Sequence, residues 1–292
     1  MTITSGLIVV DKPGGMTSHD VVARARKALG TRKVGHGGTL DPMATGVLLI
    51  GVNRATRLLG QLALENKAYQ ATIRLGAVTD TDDSEGSVLN VANPEILRLI
   101  SRDDIDSQVR QLTGRISQVP SSISAIKVDG RRSHARVRAG ESVELAPREV
   151  TVERFDVSRT VRTATFIDLE VEVRCTTGTY VRALARDLGA SLGVGGHLTS
   201  LRRTRIGSFG ATEAIGIDGI SAGVMLTMGE VASRVFKVWK VDETAADHVA
   251  HGRRIEWLTE EESLVAIVGP AGELLALAEK SDGRANYRAV FV

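Results

Sequence analysis

Two segments of this chain alternate between apolar and polar positions along their length. In residues 67–76 one side carries Tyr69, Ala71, Ile73 and Leu75. In residues 163–175 one side carries Thr165, Ile167, Leu169, Val171 and Val173. Because successive side chains of a strand point to opposite faces, each segment predicts a strand with one buried face. Such strands are typical of antiparallel sheets that are covered on one side.

Helical segments between the strands can supply that cover. Ser18 predicts the N-cap of a first helix, which Gly30 ends. Residues 179–192 predict a second helix, because Tyr180 and every fourth residue after it are large and apolar. The glycine-rich residues 35–38 predict a loop. Together these elements predict a mixed α+β fold with a central, largely antiparallel sheet.

The length of the chain and a change in its sequence pattern predict two domains. A chain of 292 residues is long enough for more than one hydrophobic core. Near Phe236 the pattern changes to short strands with tight turns, such as residues 269–272. We therefore predict a larger domain over residues 1–232 and a small β-rich domain over residues 233–292.

Composition excludes several classes of protein. Hydrophobic residues make up 42% and charged residues 25%, which is ordinary for a soluble globular protein. No apolar run reaches the length of about 18 residues that a membrane span needs, and the first residues lack the features of a signal peptide. The chain is therefore expected in the cytoplasm, away from membranes. The single cysteine, Cys175, excludes an internal disulfide, and the six histidines have no metal-ligand spacing.

Charge is balanced in total but clustered along the chain. Lys and Arg number 37 against 35 Asp and Glu, a net charge of +2. Basic clusters include residues 131–138, with Arg132 and Arg136, and residues 202–205. One such cluster is usually a solvated face, but several in one chain favour a phosphate-rich partner. Aromatic residues make up only 3%, which argues against a wide base-stacking platform.

Asp41 is the most informative single residue. It follows a glycine-rich run that contains His36, and it precedes Pro42. One interpretation is structural, with Asp41 as an N-cap and Pro42 as the first residue of a helical turn. The other is a carboxylate fixed on a tight loop, available as a nucleophile or general base. An arginine such as Arg182 beside that carboxylate would hold it ionised, but the residues do not show that the two meet.

Six ordered motifs carry a family resemblance. They are Lys12-Pro13-x-Gly15-x-Thr17-Ser18, Gly35-His36-x-Gly38-Thr39-Leu40-Asp41-Pro42-x-Ala44-Thr45-Gly46-Val47-Leu48, Lys67-x-Tyr69 with Arg74-Leu75-Gly76 and Thr79-Asp80-Thr81-x-Asp83, Ser124-Ala125-x-Lys127-x-x-Gly130, Gly178-Thr179-Tyr180-Val181-Arg182, and Leu201-Arg202-Arg203. In order and spacing, over about residues 6–210, this string resembles the TruB family, the bacterial tRNA pseudouridine-55 synthases.

The resemblance implies an activity and assigns roles to residues. It implies isomerisation of one uridine in the T loop of tRNA, with no cofactor and no metal. It implies that Asp41 is the nucleophile, that Tyr69 stacks on the target base and assists proton removal, and that Arg182 pairs with Asp41. It also implies a set of substrate-binding or bracing residues: Lys12, Pro13, His36, Tyr180 and Leu201.

The resemblance also implies an architecture and a partner. The larger domain would have the pseudouridine-synthase fold, with an RNA-contacting insertion near residues 120–145 that contains Arg132 and Arg136. The C-terminal domain would resemble PUA modules. The partner would be the T arm of tRNA, bound by a monomer of this chain.

Two other classes of function remain as alternatives. A noncatalytic RNA-binding or RNA-folding protein could share this fold, although the presence of Asp41, Tyr69 and Arg182 favours the enzyme. A carboxylate-based glycosidase needs a second catalytic carboxylate, and Asp41 has no evident partner of that kind in the sequence.

Overall fold

A computed structural model describes residues 4–121, 127–128, 131–132 and 145–292. The chain divides into two compact units. The first unit contains residues 1–41, 47–63 and 207–292, and the second contains residues 42–46 and 64–206. Each unit is therefore assembled from segments that are distant in the sequence.

The elements alternate between strands and short helices. The strands are β1 (Gly6–Lys12), β2 (Val34–Gly37), β3 (Thr45–Val52), β4 (Lys67–Leu75), β5 (Ala77–Thr79), β6 (Val88–Val91), β7 (Gly114–Gln118), β8 (Lys127–Val128), β9 (Arg131–Arg132), β10 (Arg148–Arg162), β11 (Ile167–Cys175), β12 (Gly196–Ile206), β13 (Phe209–Gly210), β14 (Leu226–Thr227), β15 (Lys237–Lys240), β16 (Val265–Val268), β17 (Leu274–Ser281) and β18 (Arg284–Val290). The α-helices are α1 (Ser18–Leu29), α2 (Leu59–Leu62), α3 (Pro94–Leu99), α4 (Arg102–Gln111), α5 (Val181–Ser191), α6 (Met228–Val235) and α7 (Glu243–Ala250). Short 3₁₀ helices cover Asn53–Leu58, Ile217–Gly219 and Ala222–Val224.

In the first unit, strand β2 occupies most of residues 35–38, where the sequence predicted a loop. Residues 34–37 form a strand that pairs antiparallel with β3, with His36 opposite Ile50. The glycines are needed because Leu59 packs on this strand: a Cβ on Gly35 would lie 3.2 Å from a methyl carbon of Leu59. The run that looked like a flexible loop is therefore a strand whose small residues admit a close neighbour.

Helix α1 begins one residue earlier than predicted. Its N-cap is Thr17, whose side chain accepts from the backbone N–H of Asp20, while the Asp20 carboxylate accepts from the backbone N–H of Thr17. This reciprocal capping box satisfies two backbone donors and so fixes the start of the helix. Ser18 is the first helical residue, and its side chain makes hydrogen bonds to the backbone of Leu40 rather than to the helix. Gly30 ends the helix at φ 61°, as predicted.

The C-terminal part of the first unit contains a small sheet in the order β15-β16-β17-β18. β15 and β16 are parallel and the other pairs are antiparallel. Its apolar side packs with α7 and with Trp239 and Trp257, whose rings meet edge to face 5.2 Å apart. The predicted small β-rich module is confirmed, whereas its boundary near residue 232 and its likeness to PUA modules stay predictions.

The second unit contains the sheet that the alternating segments predicted. Its strands lie in the order β12-β4-β11-β10-β7, and each neighbouring pair is antiparallel. Along β4 the predicted face is buried, from Tyr69 to Leu75. β11 begins at Ile167, so Thr165 lies before the strand rather than in it. The predicted mixed α+β fold with a largely antiparallel sheet is confirmed.

The first two residues of β3 join this sheet by pairing parallel with β12. Thr45 and Gly46 lie opposite Arg202 and Arg203 of β12. Gly46 has φ 100°, and a Cβ there would lie 2.1 Å from the backbone oxygen of Arg203. Only glycine permits this approach. The segment that follows Asp41 and Pro42 is thereby held close to β12.

Helix α5 packs its apolar side on β12 and β4. Leu184 and Leu188 are buried there, as the four-residue spacing predicted. The helix begins at Val181 rather than at Thr179, and Tyr180 is its N-cap residue. In the described part of the chain, no helix is long and apolar enough to cross a membrane.

Candidate active site

Asp41 is held through the residue before it. The hydroxyl of Ser18 donates to the backbone oxygen of Leu40 at 3.2 Å and accepts from the backbone N–H of Leu40 at 2.9 Å. Both Ser18 and Leu40 are buried. The start of α1 therefore fixes the backbone on which the Asp41 carboxylate sits. No helix begins after Pro42, because residues 42–43 form a bend and β3 starts at Thr45, so the N-cap interpretation of Asp41 is wrong.

Lys12 stabilises the turn that leads to α1. Its side chain is fully buried, and its ammonium group donates to the backbone oxygens of Pro13 at 2.9 Å and Met16 at 2.6 Å. Pro13 is an exposed residue of the same turn. The turn runs directly into Thr17 and Ser18, and Ser18 is the residue that binds the backbone of Leu40. The bracing role that the resemblance assigned to Lys12 and Pro13 stays a prediction.

His36 lies in β2 and is partly buried. Its ring meets the ring of His19 of α1 edge to face, with 5.2 Å between the centroids. This contact orients the imidazole on the strand that precedes Asp41. Lys12, Pro13, His36 and Asp41 thus all belong to the first unit.

Tyr69 and Leu201 belong to the second unit. Tyr69 lies in β4 between Val173 of β11 and Arg203 of β12, and only 8% of its surface is exposed. Leu201 of β12 lies opposite Ala71 and is also buried. Lys67 lies two positions before Tyr69 in β4. Its pKa is lowered to about 8, mainly because the ammonium group is buried and also because the positive charge of Arg203 is near.

Leu201 also lines a groove of about 550 Å³ in the second unit. Met43 and Thr45, which follow Asp41 and Pro42 in the sequence, line the same groove. Its other walls are mainly hydroxyl, amide and carboxylate side chains, including Gln70, Thr72, Ser84, Ser158, Glu170, Glu172, Thr199 and Ser200.

Arg182 is buried against the acidic loop that follows β5. Its Nη1 donates to the backbone oxygen of Thr81 at 2.9 Å, and its Nε lies 3.7 Å from Oδ2 of Asp83. The side chains of Arg182 and Asp83 are only 5% and 4% exposed. Asp83 in turn accepts from the backbone N–H of Glu85. The sequence does not predict this contact of Asp83, although the residue stands inside the motif from Thr79 to Asp83.

A second arginine holds the same loop. Arg186, one turn further along α5, lies 3.4 Å from Oδ2 of Asp82 and donates to the backbone oxygen of Val119 at 2.7 Å. Burial raises the pKa of the Asp82 carboxyl above its ordinary value, and the charge of Arg186 opposes that shift. The loop and α5 are therefore joined by two adjacent ion pairs.

Tyr180 is fixed through its backbone. Its N–H donates to Oε1 of Gln118 at 2.8 Å, and its carbonyl oxygen accepts from Nε2 of Gln118 at 3.1 Å. Gln118 is the last residue of β7 and is 2% exposed. We had not predicted a role for it, since a lone glutamine before Pro120 carries no chemical signal in the sequence.

Other predicted residues lie partly or wholly outside the described structure. Arg132 lies in β9, which pairs with β8, and Arg136 lies outside the described residues. Most of the predicted insertion at 120–145 lies outside them as well. Among the described residues, no group of three His, Cys, Asp or Glu side chains is placed to hold a metal ion. The expectation that the reaction needs neither metal nor cofactor stays a prediction.

Models of known protein families match successive parts of this chain. A family model described as the N-terminal domain of TruB family pseudouridylate synthase matches residues 26–181. Two further models match the C-terminal part of the chain: the tRNA pseudouridylate synthase B C-terminal domain over residues 182–244, and tRNA Pseudouridine synthase II, C terminal, over residues 236–292.

Individual relatives are similar over nearly their whole length. A Rhodococcus jostii protein named tRNA pseudouridine synthase B is 53% identical over 287 residues, covering 97% of this chain and 93% of the relative. A Leifsonia xyli protein of the same name is 50% identical, covering 95% and 93%. A solved structure of an H/ACA RNP bound to a substrate RNA containing 2′-deoxyuridine includes a chain that is 25% identical, with a TM-score of 0.72, covering 98% of this chain and 85% of that one.

The chain has a mixed α+β fold, is matched by pseudouridylate synthase models and has relatives named as pseudouridine synthases along nearly its whole length. These findings define an isomerase of the pseudouridine-synthase class. Within that class, the chain belongs to the TruB family.

Proposed function

We propose that this protein converts uridine to pseudouridine in the T loop of tRNA, at position 55, with Asp41 as the nucleophile. The observation that carries the proposal is that relatives about half identical to this chain over nearly its whole length are named tRNA pseudouridine synthase B. We further propose that it acts in the cytoplasm, as a monomer, on the T arm of tRNA.

The reaction fits the residues available. The N1–C1′ bond of uridine breaks, the base turns, and a C5–C1′ bond forms; the proton on C5 is then lost and N1 gains one. No atoms are gained or lost overall, so the isomerisation requires neither a redox partner nor an activated donor. A carboxylate such as Asp41 can attack C1′ or C6, or remove a ribose proton, and the reaction scheme accommodates each of these steps.

Each proposed catalytic residue has a physical reason for its place. Asp41 follows Leu40, whose backbone is fixed by Ser18, so the carboxylate starts from a defined position. Arg182 would hold that carboxylate ionised and oriented. Tyr69, on the central strand β4, would stack on the extruded base and assist removal of the C5 proton. A target base must leave its stack to be reached, which costs a few kcal/mol, and stacking on Tyr69 would offset part of that.

The decisive experiment is mass spectrometry of tRNA after incubation with the pure protein, using a uridine-selective derivatisation that distinguishes pseudouridine. We expect one pseudouridine per tRNA, in the T loop. A tRNA with cytidine at the target position is the matched control and should gain none. Pseudouridine at another position would contradict the T-loop assignment, and tight tRNA binding without any product would favour the noncatalytic RNA-binding alternative.

Affinity for tRNA should fall steeply with salt, because phosphate contacts release counterions. Each phosphate contact contributes about 0.7 to 0.9 to the slope of log affinity against log salt. Arg132→Ala and Arg136→Ala should each flatten the slope by about that amount if each binds a phosphate. The matched control is Arg115→Ala, because Arg115 is an exposed arginine already paired with Glu149 at 2.9 Å. Unchanged slopes for both variants would show that this cluster is only a solvated face.

A further inference from the structure

Helix α5 begins without the local capping side chain that five of the other six described α-helices have; α2, a single turn, also lacks one. In the described part of the chain, α1, α3, α4, α6 and α7 each begin after a Thr, Asn, Ser or Asp whose side chain accepts a backbone N–H of the first turn. The N-cap of α5 is Tyr180, and no side chain caps it locally. Tyrosine cannot perform this role, because its hydroxyl is too far from its own backbone.

The charge at this helix start also opposes local preference. Arg182 is the second helical residue, and the first turn contains no acidic residue. Because the N-terminus of a helix carries a partial positive charge, a cation there is unfavourable. Two local rules are therefore broken within three residues, and both exceptions, Tyr180 and Arg182, are residues to which the family resemblance assigns a role in the site.

The start of α5 is held instead by Gln118, which lies 62 residues before Tyr180 in the chain. Its amide accepts from the Tyr180 N–H at 2.8 Å and donates to the Tyr180 carbonyl oxygen at 3.1 Å. That carbonyl oxygen also accepts the first hydrogen bond of the helix, from the N–H of Leu184 at 3.2 Å. A single buried side chain thus fixes both peptide groups of the residue at which extended chain becomes helix.

We infer that Gln118 is a positioning residue for the reaction, acting through Tyr180 and Arg182 by setting where and at what angle α5 begins. The inference rests on the proposed function. Loss of the Gln118 amide leaves two partly buried backbone groups without this partner, and the helix start can then shift. The Arg182 guanidinium, which must meet Thr81 and Asp83 from that start, shifts with it.

The first test replaces the amide with an apolar side chain of similar length, Gln118→Met. The single-turnover rate at saturating tRNA should fall on the order of 10²-fold, because a misplacement of about 1 Å in a reacting constellation has that effect. The dissociation constant for tRNA should change by less than about threefold, since the variant removes no phosphate contact. Gln111→Met is the matched control, because Gln111 is an exposed residue at the end of α4; it should retain the wild-type rate.

A second control separates positioning from general destabilisation. Ile105→Val removes one buried methylene from α4 in the same unit and lowers stability without changing any residue of α5's first turn. At a temperature where both variants remain folded, Ile105→Val should keep the wild-type rate while Gln118→Met does not. Equal rate losses at equal losses of thermal stability would overturn the inference.

The effect of Gln118→Met on the rate can also be measured with and without Arg182. A residue with only a structural role would give the same loss of rate in both backgrounds. If Gln118 acts through Arg182, Gln118→Met should lower the rate far less in an Arg182→Lys background than in the wild type. Full additivity of the two losses would contradict this route of action.

Gln118→Glu keeps the inference testable if the methionine variant does not fold. An ionised glutamate can accept from the Tyr180 N–H but cannot donate to the Tyr180 oxygen, whereas a protonated glutamate can do both. The ratio of variant to wild-type rate should therefore rise as pH falls from about 8 to 6, since burial places the glutamate pKa above its ordinary value. A ratio near one, or one that is flat with pH, would overturn the inference while leaving wild-type pseudouridine formation, and so the proposed function, intact.

Discussion

Asp41→Asn is expected to abolish pseudouridine formation while leaving the fold and tRNA binding in place. The amide is nearly isosteric with the carboxylate but is a poor nucleophile. The contacts that fix this loop, between Ser18 and Leu40, use the backbone of Leu40 and so do not depend on the Asp41 side chain. We expect the single-turnover rate to fall by at least about 10⁴-fold, the scale seen when a nucleophile is removed.

The measurement is the fraction of target uridine converted, by mass spectrometry, beside the dissociation constant for tRNA. Asp218→Asn is the matched control, because Asp218 is an exposed aspartate of the same unit and should retain full activity. If Asp41→Asn still forms substantial pseudouridine, Asp41 is not the nucleophile, even if the protein remains a pseudouridine synthase.

The sheet could be predicted from sequence because its strands have one buried and one exposed face. In β4 and β11 this period of two is clear, and the structure places both strands within one or a few residues of their predicted bounds. β2 could not be predicted, since Gly35 and Gly37 have no side chains to show a period. That strand is specified by its pairing with β3 and by the packing of Leu59, which are contacts distant in sequence.

The residues of the candidate site also divide into those that the sequence predicts and those that it does not. Asp41, Tyr69 and Arg182 were predicted because their motifs resemble those of a family, and their proposed roles remain to be tested. Gln118 and Asp83 were not predicted, because their importance lies in contacts made by the fold: Gln118 meets Tyr180 across 62 residues, and the loop of Asp83 meets Arg182 across about 100 residues. Helix α5 departs from the usual capping and charge preferences at its first residues, and such departures are expected where function competes with local stability.

Arg182→Lys is expected to lower the rate far more than it lowers the affinity for tRNA. The guanidinium reaches two separate partners, the backbone oxygen of Thr81 and the carboxylate of Asp83. A planar group with five N–H donors can hold these partners and still offer N–H groups to a third, which we propose is Asp41, whereas an ammonium is a single point of charge on a flexible stem. Lysine therefore keeps the charge and loses the orientation.

The expected loss in single-turnover rate is on the order of 10²-fold or more, the effect of misplacing a reacting group by about 1 Å. The dissociation constant for tRNA should move little, because phosphate contacts elsewhere supply most of the affinity. Arg186→Lys is the matched control: Arg186 lies on the same helix and binds the same loop through Asp82, but has no proposed role at the reacting base. A normal rate for Arg182→Lys, or a defect confined to affinity, would remove Arg182 from the catalytic set, because a group that orients Asp41 must act on the chemical step.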